Sequence, residues 1–432
     1  MLRLRLGCGL LAATTFLLFT LNSAAQTAQP KFVTLYAFNG SVNSGDGIYP
    51  TAPLVAGAGG VLYGVTYQGG TESSPCYLGC GTVFSLTPSH GGSWSETQID
   101  LFTSGSDGFE PGTLAISPSG VLYGTTAGGG STGCGGTGCG TAFSLTPSAA
   151  QTTWTKSTYT LPQATSLPNS LRFSATGVLY GTSSDGGTGG SFFSLKPPTT
   201  GQAWTEHLLY SFPADKYHPL MTLTGPGGVV YGTSEGGDPS CPVGCGIVFS
   251  LTPPKTGTGS WTETVLDAFV NQGNHPYGNA SIVLGSDGVI YGTTRQGGQF
   301  NLGAVFSLTP PSVSGGSWTE TLLYSFAGPP DAATPNQGLV MAKDGTLYGT
   351  SFYGGDANCQ TLKVGCGAVF SLTPPSSSGG AWTETVLHAF TGGTDGGNPI
   401  AGLTIGANGV LYGTTTAWGG TGKYGTVFAV TP

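Results

Sequence analysis

Two sets of residues in this sequence combine reactive or adhesive side chains with repeated placement. One set stands four residues after a recurring tyrosine: Tyr67, Ala127, Ser184, Glu235, Arg295, Phe352 and Thr416, with Tyr353 and Trp418 nearby. The other stands directly before a recurring proline: Tyr49, Glu110, Leu167, His218, His275, Thr334 and Asn398. Each set puts unlike side chains at equivalent points of a repeat. One asymmetric ligand site on a repeated scaffold needs this, because loops on a rigid frame commonly carry function. Unconstrained loop positions vary in the same way, so the pattern leaves both readings open.

The two sets suggest different chemistry. Tyr67, Phe352, Tyr353 and Trp418 offer aromatic faces on which a sugar ring can stack. Glu110, His218, Glu235, His275 and Arg295 offer acids, bases and a cation for lyase or hydrolase chemistry. His218 and His275 hold equivalent places in adjacent units, but no third ligand accompanies them and no metal is expected. Asp107-Gly108 and Asp395-Gly396 lack the alternating carboxylates of a calcium loop and read as turns. No nucleophile elbow, phosphate-binding loop or zinc-protease helix is expected, and no Gly-x-Gly-x-x-Gly spacing opens a helix. No cofactor follows, and no catalytic residue can be assigned.

Eight cysteines fall in four local pairs: Cys76/Cys80, Cys134/Cys139, Cys241/Cys245 and Cys359/Cys366. Some units have both cysteines and others neither, which predicts a disulfide within each loop. Zinc is the alternative, but each loop supplies two ligands where a structural site needs four. Disulfides also suit an exported chain. Residues 1–25 read as a secretory leader. It has Arg3 and Arg5, an apolar run from Leu6 to Leu21, then Ser23-Ala24-Ala25. Cys8, the ninth cysteine, lies inside it. The expected location is extracellular, cell-surface or periplasmic, with no transmembrane span in residues 26–432.

These residues are positioned by a unit that recurs seven times. Leu-Tyr-Gly or a close variant is centred on Tyr63, Tyr123, Tyr180, Tyr231, Tyr291, Tyr348 and Tyr412, at near-even intervals. Each unit contains four strand-like runs separated by Gly, Pro, Ser and Asp turns. A run after a proline comes first, then Leu-Tyr-Gly-Thr-Thr, then Val-Phe-Ser-Leu-Thr-Pro, then Trp-Thr-Glu-Thr-x-Leu-x-x-Phe. Asp287-Gly288 and Asp344-Gly345 mark tight turns between the first two runs. Four strands taken seven times predict an all-β, seven-bladed β-propeller. The blades are expected at about 50–102, 111–161, 168–212, 219–269, 276–326, 335–390 and 399–432.

The Trp run occurs only six times, and the last unit ends without it. Residues 31–38 match that run by their final Phe38, with Pro30 in place of the Trp. The N-terminal strand is therefore expected to complete the last blade and close the ring, which removes an open sheet edge.

The unit Leu-Tyr-Gly-Thr-Thr-x-x-Gly-Gly … Gly-Thr-Val-Phe-Ser-Leu-Thr-Pro resembles the GloVer-type (choice-of-anchor) tandem-repeat family of exported bacterial proteins. The resemblance covers all seven units. It implies an extracellular or surface location and no established reaction.

The repeated Tyr, Phe and Trp residues read as packing between blades, with a sugar-binding ladder as the alternative. Glu96, Glu206, Glu263, Glu320 and Glu384 recur in the Trp run, where Lys156 replaces the acid once. A carboxylate repeated in this way reads as a solvated or paired group rather than a catalyst. Glycine accounts for 77 of 432 residues, yet aromatics reach 11% and charged residues only 7%. A disordered chain has few aromatics and a high net charge. Removing Arg3 and Arg5 from the 12 basic residues leaves 10 against 20 acidic ones. That balance disfavours nucleic acid as a partner.

The expected function is a non-enzymatic binding or adhesion scaffold for a polysaccharide or a cell-surface protein. A polysaccharide lyase or glycoside hydrolase using the same face is the first alternative, and a structural envelope protein the second.

Overall fold

The computed structural model describes residues 29–40, 45–89, 91–130, 133–174, 177–184, 189–197, 203–214, 218–235, 245–255, 259–270, 276–313, 315–359, 363–377, 379–419 and 423–432. The expected leader, His275 and Cys241 lie outside these residues.

Blade two shows the plan. Phe109–Ile116, Leu122–Gly128, Thr141–Pro147 and Trp154–Thr160 pair antiparallel in that order. Seven such sheets form the ring of a β-propeller. Lys31–Ala37 pairs antiparallel with Thr426–Thr431 and so forms the outer strand of blade seven. Closure is tightened on the inner side, where Thr404 Oγ1 donates to the Leu54 carbonyl at 2.5 Å and Thr414 Oγ1 to that of Pro50 at 3.2 Å.

Aromatic pairs join each blade to the next. The repeated tyrosine of one blade meets the tryptophan of its neighbour: Tyr63 with Trp154, Tyr180 with Trp261 and Tyr291 with Trp382, at centroid distances of 5.8, 5.9 and 5.8 Å. Tyr412 of blade seven meets Trp94 of blade one at 6.0 Å. Deeper in, the Phe that ends six of the outer strands packs edge-on against the third-strand Phe of the following blade, and Leu161 takes its place in blade two. Phe38 with Phe84, Phe102 with Phe143 and Phe390 with Phe428 are examples, at 5.3, 5.2 and 5.2 Å. These rings are fully buried. Each such pair contributes about 0.5–1.5 kcal/mol beyond area burial. The repeated aromatics are thus packing groups.

The glycine of Leu-Tyr-Gly is fixed by that packing. A Cβ on Gly124 would stand 2.3 Å from the Phe143 ring, and one on Gly413 would stand 2.5 Å from Phe428.

Candidate functional site

The loops entering the first strands and those joining second to third strands meet on one face, called here the top face. A repeated joint builds it. The glycine before each third strand has positive φ, for example +96° at Gly81 and +95° at Gly367. It lies under the proline that starts the next blade: a Cβ on Gly81 would approach Pro111 Cδ to 2.4 Å, and one on Gly367 would approach Pro399 Cδ to 2.7 Å. The residue before that proline then donates its backbone N–H to the carbonyl just before the glycine. Glu110 bonds Cys80 at 2.9 Å, Asn398 bonds Cys366 at 2.7 Å, and Tyr49 bonds Tyr424 across the closure at 3.1 Å.

This joint imposes an uncommon backbone on the pre-proline set. Tyr49, Glu110, Leu167, His218, Thr334 and Asn398 all have φ between 50° and 59°. L-residues visit that region rarely, and such positions cluster at functional sites. Six unlike side chains are therefore displayed from one strained backbone geometry. Their residue types gave little warning of it, since of the six only Asn398 and His218 are of types enriched in the left-handed region.

The second variable set sits beside the first. Tyr67 N–H donates to the Tyr49 carbonyl at 2.9 Å and Ser184 N–H to that of Leu167 at 3.0 Å. Side chains link the sets as well. The Tyr67 hydroxyl donates to Glu110 Oε2 at 2.7 Å, from blade one to blade two. Burial first, then this bond to Glu110, pushes the Tyr67 phenol pKa upward. Asn398 Nδ2 donates to the Phe352 carbonyl at 2.9 Å, from blade seven to blade six. Within blade four, His218 Nδ1 lies 2.9 Å from Glu235 Oε2, with both side chains partly open to solvent. The two sets thus interlock as a belt around the top face.

The aromatic members differ in setting. Phe352 and Tyr353 stand edge to face at 4.7 Å, both partly exposed. Trp418 packs against the cluster that holds Cys359, Cys366 and Phe390, and its ring covers Gly397. Arg295 is half-buried at its place in blade five, one blade on from His218 and Glu235.

Cys76–Cys80, Cys134–Cys139 and Cys359–Cys366 are disulfides, with Cα separations of 5.2, 5.2 and 5.7 Å. Cys245 is also disulfide-bonded. The second cysteine of each pair is buried: Cys80, Cys139, Cys245 and Cys366 are at most 2% exposed. For Cys80, Cys139 and Cys366, its carbonyl is the one that receives the next blade's pre-proline N–H. The disulfides therefore brace the joint under the belt as well as the loops above it.

Two of the outer-strand glutamates pair between blades. The Glu206 carboxylate accepts from the Tyr159 hydroxyl and the Glu263 carboxylate from Tyr210, at 3.4 and 2.9 Å. Where Lys156 replaces the glutamate, the neighbouring tyrosine is replaced by Asp100, and the two form an ion pair at 2.6 Å. Where Phe32 replaces it, the neighbour is His388, stacked on Phe32 at 3.7 Å. Burial, then the charge of Asp331, pushes Glu384 up to about 8; burial and then Asp46 push Glu96 up to about 7. Asp107 and Asp395 act as turn residues, accepting from the backbone N–H of Thr103 and Thr391 at 3.0 and 2.9 Å. Among the described residues no cluster of His, Cys, Asp and Glu could hold a metal ion. No helix among them is long and apolar enough to cross a membrane.

The Gloeobacter/Verrucomicrobia repeat matches residues 131–363, more than half of the chain. The chain belongs to this family. No curated protein matches it. Among solved structures it is similar to a streptogramin B lyase at 15% identity, covering 93% of this chain and 97% of that one, with a TM-score of 0.53. The virginiamycin B lyase of Staphylococcus aureus matches at 13% identity over 94% and 100%, TM-score 0.54. A fungal alcohol oxidase of the AA5 family matches at 14% identity over 93% and 76%, TM-score 0.56. At these identities the likeness is one of fold, which does not carry function.

Proposed function

We propose that this member of the repeat family is an exported, non-enzymatic binding scaffold that holds a polysaccharide on its top-face belt. The observation that carries the reading is the belt itself. Its described pre-proline positions share one backbone frame and differ in side chain, so the surface is rigid and asymmetric. Tyr67, Phe352 and Tyr353 supply partly exposed aromatic faces, which suit the apolar face of a pyranose. Glu110, His218, Glu235 and Thr416 supply polar groups at the same level, and the disulfide-braced joints keep the array preorganised.

A glycan-array screen of the chain from residue 26, followed by product analysis on any hit, tests this reading. Binding without turnover is expected, and Tyr67→Ala with Phe352→Ala weakens it. Absence of binding across a broad panel would overturn it.

One observation favours a second reading. His218 and Glu235 form a hydrogen-bonded pair on an open face, as a base oriented by a carboxylate would. Turnover of a bound polysaccharide that is lost in His218→Ala would make the protein a lyase or hydrolase.

A further inference from the structure

The opposite face carries a cleft that the belt does not use. Its volume is about 890 Å³, within the size range of small-molecule sites. It runs across blades one to three, where the turns between first and second strands emerge. Ile116, Tyr123 and Phe173 form its apolar part; Ser119, Gln151 and Lys196 stand at its polar edge.

The sequence explains why the cleft lies there. In blade one the Tyr63 ring lies over Gly57, where a Cβ would come within 2.5 Å of it. Tyr231 and Tyr412 cover Gly225 and Gly406 in the same way, with 2.7 Å each. Blades two and three carry Ser117 and Ser174 at this position. Ala342 stands there in blade six. Tyr123 meets Trp204 of the next blade at 6.3 Å, as its sister tyrosines meet theirs, and also packs edge-on to Phe173 at 5.5 Å, where it borders the cleft. Phe173 is itself the only aromatic at its place in the first strands, where the other blades have Ala56, Ile116, Thr224, Leu284, Met341 and Ile405.

The charge is equally local. Six units end the third strand in Thr-Pro, as at Thr146-Pro147, and blade three alone has Lys196-Pro197. Lys196 is exposed. Among the described residues no carboxylate lines the cleft, although the chain has 20 acidic residues.

We propose that this cleft binds an anionic sugar, with the ring against Tyr123 and Phe173, hydroxyls on Ser119 and Gln151, and the carboxylate or sulfate on the Lys196 ammonium. It is a second site, independent of the belt. The test is calorimetric titration of the chain from residue 26 with oligogalacturonate, a sulfated galactose oligomer, neutral galactose oligomer and inorganic sulfate. Either anionic oligomer should bind, and which of the two binds identifies the anionic group. Lys196→Thr restores the residue of the sister blades and so keeps the fold. It should weaken binding about tenfold or more, as loss of a charge-assisted contact does. Tyr67→Ala on the top face should leave this binding unchanged. Neutral oligomer or free sulfate binding as tightly as the anionic sugars would overturn the proposal. So would an undiminished affinity in Lys196→Thr, or no binding by either anionic oligomer.

Discussion

The outer rim and the top-face belt are both rings with one contribution per blade, yet they vary in opposite ways. At the rim, two exchanges are matched by the neighbour, although Asp267 takes the tyrosine position before an unchanged Glu320. Lys156 in place of glutamate comes with Asp100 in place of tyrosine, and Phe32 in place of glutamate comes with His388. In the belt, the backbone is held constant while the side chains change without a matching rule: Tyr67 bonds Glu110, Phe352 offers only its carbonyl to Asn398, and Leu167 is exposed. Compensation is the mark of groups that must fit each other. Free variation on a strained and repeated frame is the mark of groups turned toward something outside the chain.

The strongest way to break that contrast is to attack the blade joints. Phe38→Ala removes the buried ring through which the N-terminal strand meets Phe84 of blade one. The expected loss is about 3–5 kcal/mol in chemical denaturation. A loss below about 1 kcal/mol would mean that the closing strand is dispensable and the rim no more constrained than the belt.

The next test is a swap at the rim. Lys156→Glu restores the residue of the other blades but places it against Asp100 and Asp107, both now bonded to Lys156 at 2.6 and 2.5 Å. Stability should fall by about 2–4 kcal/mol, because two partly buried carboxylates lose their cation. Asp100→Tyr added to Lys156→Glu rebuilds the pair found at Tyr210 and Glu263. It should recover part of the loss in a double-mutant cycle. Additive losses would show that the two substitutions are not a matched pair.

Most of this ring was legible in the sequence, because it rests on large repeated residues. The repeated tyrosines, the third-strand phenylalanines and the missing tryptophan of the last unit define the blades and the closing strand without any tertiary information. The rim pairing was not legible. Asp100 and Lys156 lie in different blades and far apart along the chain. Only a closed ring shows that the end of one outer strand faces the start of the next. The belt's left-handed backbone was hidden for another reason. It is dictated by the previous blade's glycine and carbonyl, not by Tyr49, Leu167 or Thr334 themselves. The cleft on the far face was hidden because its lining, Ile116, Tyr123, Phe173 and Lys196 among others, comes from different blades that only the closed ring brings together.

The rim also predicts a pH response. Burial raises Glu384 to about 8 and Glu96 to about 7, above their unfolded value near 4.5. Between about pH 4.5 and 8 the folded chain then holds more protons than the unfolded one, and stability falls as pH rises through that window. Tm should be higher at about pH 5.5 than at about pH 8.5, and Glu384→Gln should flatten the slope. Asp395 works in the other direction: the hydrogen bonds from His388 and Thr391 lower its pKa against burial. Its contribution is present above the unfolded value and is lost only in acid. A Tm that rises across the same interval would mean that the rim carboxylates Glu384 and Glu96 are ionised without penalty.

The smallest effects belong to the belt, and they separate its two roles. Tyr67→Phe keeps the ring and deletes the hydroxyl that donates to Glu110. Its stability loss should be about 1 kcal/mol, as for one net hydrogen bond, and close to that of Tyr210→Phe at the rim. Sugar binding should survive it, since stacking needs the ring and not the hydroxyl. Tyr67→Ala removes the ring as well and should abolish most of the binding while costing little more stability, because Tyr67 and Tyr210 are both only partly buried but among the described residues no aromatic ring packs on Tyr67. The rim residue should behave otherwise, with Tyr210→Ala losing several times more stability than Tyr210→Phe, since its ring packs on Phe212 at 5.0 Å. If Tyr67→Ala instead unfolds the chain as readily as Tyr210→Ala, the belt is a second packing ring and its varied side chains face inward to the fold rather than outward to a ligand.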